Sequence, residues 1–139
     1  MKNYKILEIL NNANFKTFEF FSPNFERGNI KLGLTRTKKA LIELKNPCKN
    51  IPAIQIVGTN GKGSITAFIE SILYEAKKNI GVTTSPHLFD ISERIRVNKE
   101  NINKKEFERL LKTIENNLSK LKLSPFEKIF CCAIKYFDQ

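Results

Sequence analysis

The stretch Gly58-Thr59-Asn60-Gly61-Lys62-Gly63-Ser64 decides the reading of this chain. Upstream lies the apolar, β-branched run Ala53-Ile54-Gln55-Ile56-Val57, which predicts a strand. Downstream, Ile65, Phe68, Ile69, Ile72, Leu73 and Ala76 recur at offsets of three and four, predicting an amphipathic helix from Ser64 to about Lys78. Strand, glycine-rich turn and helix aim backbone N–H groups and a helix N-terminus at one spot, and such a spot binds phosphate. Glycine permits positive φ and lets the backbone approach the anion with no Cβ between them. Lys62 adds a mobile point charge, and the Ser64 hydroxyl can cap the helix or meet a metal or phosphate. A βα turn without a ligand explains the glycines but not the lysine and serine beside them. The loop departs from the common pattern G-x-x-x-x-G-K-[ST], because Gly63 separates Lys62 from Ser64 and the first glycine position holds Ile56.

A second apolar run, Ile80 to Thr84, completes strand, helix and strand within about 30 residues, the size of a βαβ unit. The fold class this predicts is α/β, a P-loop-type parallel sheet flanked by helices, with a right-handed crossover. Ligands on such sheets sit at the carboxyl ends of the strands. The loop from Ser85 to Asn98 should therefore emerge beside the phosphate loop. It carries a hydroxyl (Ser85), an imidazole (His87), two carboxylates (Asp90, Glu93) and two guanidiniums (Arg94, Arg96). His87 follows a proline and reads as structural. Glu93 and Arg94 can pair at the surface, where a salt bridge contributes roughly 0–1 kcal/mol.

Farther out, Lys2 to about Ala13 reads as a short helix, with Tyr4, Ile6, Leu7 and Leu10 available for burial. Asn14 to Leu32 is irregular and holds Phe15, Phe18, Phe20, Phe21 and Phe25, too many to leave in water. It either packs over the domain, the favoured reading, or lines a pocket for a flat ligand. A helix from Gly33 to Lys45 follows, with Leu34, Leu41 and Leu44 along one side and Asn46-Pro47 closing it. Asn103 starts another, with Glu106 completing a capping box and Phe107, Leu110, Leu111, Ile114, Leu118 and Leu121 as its buried stripe. Ser124-Pro125-Phe126-Glu127 opens the last helix, with serine at the cap, proline in the first turn and glutamate at the third position. That helix should end near Phe137.

At 139 residues the chain has the length of one domain with a single modest core. Its net charge of +10 raises the possibility of a nucleic-acid partner. The excess is mostly lysine, spread along the whole chain, so no nucleic-acid partner is expected. A basic surface also suits polyanionic small molecules. No apolar run approaches a membrane span and no signal-peptide pattern follows Met1, so the expectation is a cytoplasmic protein without a membrane partner. Cys48, Cys131 and Cys132 form no C-x-x-C pair. Adjacent cysteines on a helix point about 100° apart, so buried thiols are expected rather than a metal site.

The word G-T-N-G-K-G-S resembles the phosphate loop of the Mur ligase superfamily, and Gly63 favours its folate branch, the dihydrofolate synthases/folylpolyglutamate synthases. The words L-G-L-T-R, S-P-H-L followed by E-R-I-R, and S-P-F-E are similar to further words of that branch. The resemblance implies ATP bound by Gly58, Thr59, Asn60, Gly61, Lys62, Gly63 and Ser64, with Lys62 as the catalytic residue. It implies Mg²⁺ at Ser85, since magnesium accepts a neutral oxygen alongside phosphate oxygens. It also implies contacts with a pteroate from Ile30, Lys31 and Leu32 and from Ser124, Pro125, Phe126 and Glu127. Capping by itself also explains Ser124 and Glu127.

The implied reaction adds L-glutamate to dihydropteroate or to a folylpolyglutamate through an acyl phosphate made with ATP, by an enzyme that is usually a monomer. Residues 1–139 resemble roughly the first third of such enzymes, the N-terminal part of the ATP-binding domain. The expectation is therefore a truncated or split chain that lacks the C-terminal glutamate-binding domain and is inactive by itself. Two rivals stand beside this reading. One is a Mur-type ligase acting on a cell-wall precursor; the other is a non-catalytic nucleotide-binding remnant.

Overall fold

A computed structural model describes residues 33–139. The expected helix Lys2–Ala13, the aromatic segment Asn14–Leu32 and the candidate contacts Ile30, Lys31 and Leu32 lie outside the described residues. The element order is α1 (Thr35–Glu43), α2 (Lys62–Glu75), β1 (Gly81–Thr83), a 3-10 turn (Ile91–Arg94), β2 (Ile95–Val97), β3 (Glu100–Asn101), α3 (Lys104–Leu118), a 3-10 turn (Ser119–Leu121) and α4 (Pro125–Phe137).

The core is built on α3 and α4. Along α3 the positions Phe107, Leu110, Leu111, Ile114 and Leu118 are buried, the stripe its periodicity predicts. They meet Ile129, Cys131, Cys132 and Ala133 of α4, Ile95 of β2, and Ala40, the one buried residue of α1. Leu34, expected on the inner side of α1, is exposed instead. Chain direction explains this, because Leu34 precedes the first helical turn and caps it. Asn103 caps α3 by accepting from the Lys105 N–H at 2.9 Å. The expected capping box does not close: Glu106 turns outward to Arg109, one helical turn along. At α4 both halves of the box are present, Ser124 Oγ accepting from the Glu127 N–H and Glu127 Oε2 accepting from the Ser124 N–H.

The sheet departs from expectation. Its order is β1-β2-β3 with both pairings antiparallel, Val82 facing Arg96 and Val97 facing Glu100. Residues 52–58 carry no strand, so the parallel pairing of 53–57 with 80–84 is absent among the described residues. After Thr84 the chain returns through the loop 85–94 as a short antiparallel partner, and Asn98 and Lys99, both at positive φ (51° and 71°), form the two-residue turn into β3. Asn98 ties that turn to β1, donating its N–H to the Ile80 carbonyl and accepting the Ile80 N–H on its side chain, each at 3.0 Å. A lone parallel pair would need cover on both faces. Here Ile54 and Val57 are exposed, as are Ile65, Phe68 and Ile72 of α2.

Gly81 is where α4 meets the sheet. A Cβ placed there would lie 2.6 Å from the Phe137 ring, so only glycine allows this approach. No helix of the described residues is long and apolar enough to cross a membrane.

Candidate functional site

The glycine-rich stretch sits where the sequence places it, at the start of α2, although the helix begins at Lys62 rather than Ser64 and ends at Glu75. Gly61 is the N-cap residue with φ 75°, and Gly58 has φ 151°, both in the region that favours glycine. The first intrahelical bond runs from the Ile65 N–H to the Gly61 carbonyl at 3.0 Å. The N–H groups of Lys62, Gly63 and Ser64 therefore have no acceptor within the helix and open from its positive end. Ser64 lies inside the first turn and is not the cap. Lys62 folds over the loop, its Nζ donating to the carbonyls of Gly58 (2.6 Å) and Thr59 (3.0 Å). The loop thus presents three backbone donors, with the Lys62 cation folded over it.

Ser85 follows β1 and is exposed. The loop that carries it is held by Glu93, which the sequence left as a surface group. Its carboxylate accepts three successive backbone N–H groups, Leu88 at 2.8 Å, Phe89 at 3.0 Å and Asp90 at 2.8 Å. Burial opposes ionisation of Glu93, but those three donors outweigh it and hold the carboxyl below its ordinary range. Asp90 caps the 3-10 turn by accepting from the Ser92 N–H at 2.8 Å. Arg94 does not pair with Glu93; its Nε donates to His87 Nδ1 at 2.9 Å. Burial first, and then the Arg94 charge, lower the His87 pKa.

The described residues hold no group of three or more His, Cys, Asp or Glu side chains able to bind a metal ion. Ser85, the candidate metal ligand, would contribute a neutral hydroxyl. That suits a hard divalent cation such as magnesium, which keeps water and phosphate oxygens as most of its ligands.

Two ion pairs were not legible in advance. Glu70, buried on the inner face of α2, receives a two-pronged contact from Arg96 of β2, Nε to Oε1 at 3.2 Å and Nη2 to Oε2 at 2.7 Å. The only signal in the sequence is one acid within an apolar run, F-I-E-S-I-L. Glu127, also buried, receives Arg36 of α1, Nε to Oε2 and Nη2 to Oε1, each at 3.1 Å, and Thr37 Oγ1 at 3.4 Å. Phe126 beside it is 58% exposed, and Ser124 and Pro125 are half-buried.

No protein-family model matches the chain. Over 116 residues it is 38% identical to the dihydrofolate synthase/folylpolyglutamate synthase of Bacillus subtilis, a match covering 79% of this chain and 27% of that protein. The chain belongs to the dihydrofolate synthase/folylpolyglutamate synthase family. Solved members of that family superpose on it. The bifunctional enzyme of Yersinia pestis, complexed with AMPPNP and Mn ion, gives a TM-score of 0.78 at 28% identity, covering 88% of this chain and 30% of that one. E. coli FolC in complex with DHPP and ADP gives 0.75 at 29% identity, covering 98% and 30%. The chain thus spans less than a third of the length of these relatives. The words singled out in the sequence fall on distinct parts of this fold: the start of α2, the end of β1 with β2, and the starts of α1 and α4.

Proposed function

We propose that this chain is the nucleotide-phosphate part of an ATP-dependent ligase that adds L-glutamate to dihydropteroate, to a folylpolyglutamate, or to both. The observation that supports the reading most is the start of α2, where Gly58 and Gly61 take left-handed backbone conformations and Lys62 lies over the loop. In the proposed reaction ATP phosphorylates the substrate carboxylate, the amine of L-glutamate attacks the acyl phosphate, and phosphate leaves.

The N–H groups of Lys62, Gly63 and Ser64 would hold phosphate oxygens, with Thr59 and Asn60 shaping the loop. Lys62 would leave the carbonyls of Gly58 and Thr59 to follow negative charge as it develops on the transferring group. Magnesium, when bound at Ser85, would neutralise charge on the phosphates. Ile30, Lys31 and Leu32 together with Ser124, Pro125, Phe126 and Glu127 would meet the pteroate, with the exposed Phe126 ring offering a stacking surface.

In this reading residues 53–57 run parallel beside 80–84 in the complete ATP-binding domain, which would cover Ile54 and Val57. The 139 residues by themselves bind nucleotide without glutamate-dependent ADP release, as a cytoplasmic monomer taking small-molecule substrates. Thermal unfolding followed by circular dichroism, with and without Mg-ATP, tests the site. Ligand at 100 times its dissociation constant adds about 2.7 kcal/mol to the native state. A melt that rises with Mg-ATP in the unmodified chain, and fails to rise in Lys62→Ala, supports the reading. A melt indifferent to nucleotide refutes it for this chain.

A further inference from the structure

We infer that Arg96, seated on Glu70, is a positioning residue that sets the loop bearing Ser85 against the phosphate loop. The inference rests on the nucleotide site proposed above. Arg96 uses all three of its nitrogens. Nε and Nη2 grip the Glu70 carboxylate on α2, while Nη1 donates to the Glu93 carbonyl at 3.1 Å. That same carbonyl accepts the Thr84 hydroxyl at 3.3 Å, and Thr84 directly precedes Ser85. One planar guanidinium therefore ties the helix that begins with the phosphate loop to the residue next to the candidate metal ligand.

A lysine could not hold both partners, because its single nitrogen lacks the fixed fork. Anchoring alone does not explain the choice of residues. A buried ion pair is weak support for stability compared with an apolar contact of similar volume. Ile65, Phe68 and Ile72 were available on the same helix and face outward. A second tie of α2 to the sheet, Lys99 Nζ over the Tyr74 ring at 4.7 Å, anchors the helix without touching the Ser85 loop and so provides the control.

The test is calorimetric titration of the full 139-residue chain with AMPPNP, in Mg²⁺ and in EDTA, for the unmodified protein, Arg96→Lys, Glu70→Gln and Lys99→Met. The expected result is that Arg96→Lys loses about tenfold in affinity for AMPPNP with Mg²⁺ while its metal-free affinity is unchanged. Glu70→Gln, isosteric with the native residue, should show a smaller loss of the same kind and serves if Arg96→Lys does not fold. Lys99→Met should keep the unmodified ratio between the two conditions. Equal weakening with and without metal in Arg96→Lys and Glu70→Gln, or no weakening in either, overturns the inference. An unmodified chain that binds AMPPNP with no gain from Mg²⁺ overturns it too, while leaving the phosphate site standing. An unmodified chain that binds no AMPPNP removes the phosphate-site reading and this inference together.

Discussion

Arg36 and Glu127 lie 91 residues apart in sequence, yet the Arg36 guanidinium sits at 3.1 Å from each carboxylate oxygen of Glu127. The pair fastens the start of α1 to the first turn of α4. It also joins Arg36, from the word L-G-L-T-R, to Glu127, from the word S-P-F-E. Glu127 serves three partners at once: the Arg36 guanidinium, the Thr37 hydroxyl and the Ser124 N–H.

Removing Glu127 should therefore cost more than removing Arg36. Arg36→Ala leaves Glu127 with its capping contact, and the expected loss is about 1.5–3 kcal/mol, that of a hydrogen bond to a charged group. Glu127→Ala forfeits the cap as well and is expected to lose about 1 kcal/mol more. Urea denaturation of the two variants beside the unmodified chain measures the difference. Equal losses would mean that the capping half of the box contributes nothing.

Acid should unfold the chain through these same carboxylates. Burial disfavours the charged form of Glu127, but the Ser124 N–H and Arg36 outweigh it and hold its pKa below the ordinary 4.5. Glu93 is depressed below 4.5 by its three backbone donors. A group depressed in the folded state contributes stability that is present above 4.5 and is lost as pH falls through its folded value. The melting temperature should thus fall steeply below about pH 4.5, and less steeply in Glu127→Gln, which has no proton to take up there.

Alkali should act on the thiols. Burial pushes Cys131 up to about 11 and Cys132 up to about 12. The unfolded chain loses these protons near the ordinary 9.0, so stability should decline as pH rises above 9. Alkylation followed by mass spectrometry should modify the half-buried Cys48 first and leave Cys131 and Cys132 until the chain opens. Early labelling of Cys131 would contradict the packing of α4.

Gly81→Ala should destabilise by about 1–3 kcal/mol, the range for overpacking, because the added methyl meets the Phe137 ring. In Phe137→Ala the same change should be nearly silent. A double-mutant cycle monitored by thermal unfolding reads the coupling directly, and additive losses would show that the clash is not what glycine avoids here.

Local signals settled what depends on neighbours in sequence. The stripe Phe107 to Leu118 put one face of α3 into the core because a helix repeats every 3.6 residues, whatever it packs against. Ser124-Pro125-Phe126-Glu127 wrote its own capping box, since both partners lie within one turn. Gly58, Gly61 and Lys62 marked the glycine-rich turn at the start of α2 for the same reason, because strained turns and helix starts are short-range events. Only the tertiary structure decided the rest. Glu70 reads as an oddity in an apolar helix until Arg96 arrives from 26 residues away. Glu93 reads as a surface acid until the loop wraps three N–H groups around it. The direction of β2 against β1 was hidden as well. A three-residue strand carries too little periodicity to announce itself, and its partner is chosen by the fold-back after Thr84 rather than by any property of Ile95, Arg96 and Val97 alone.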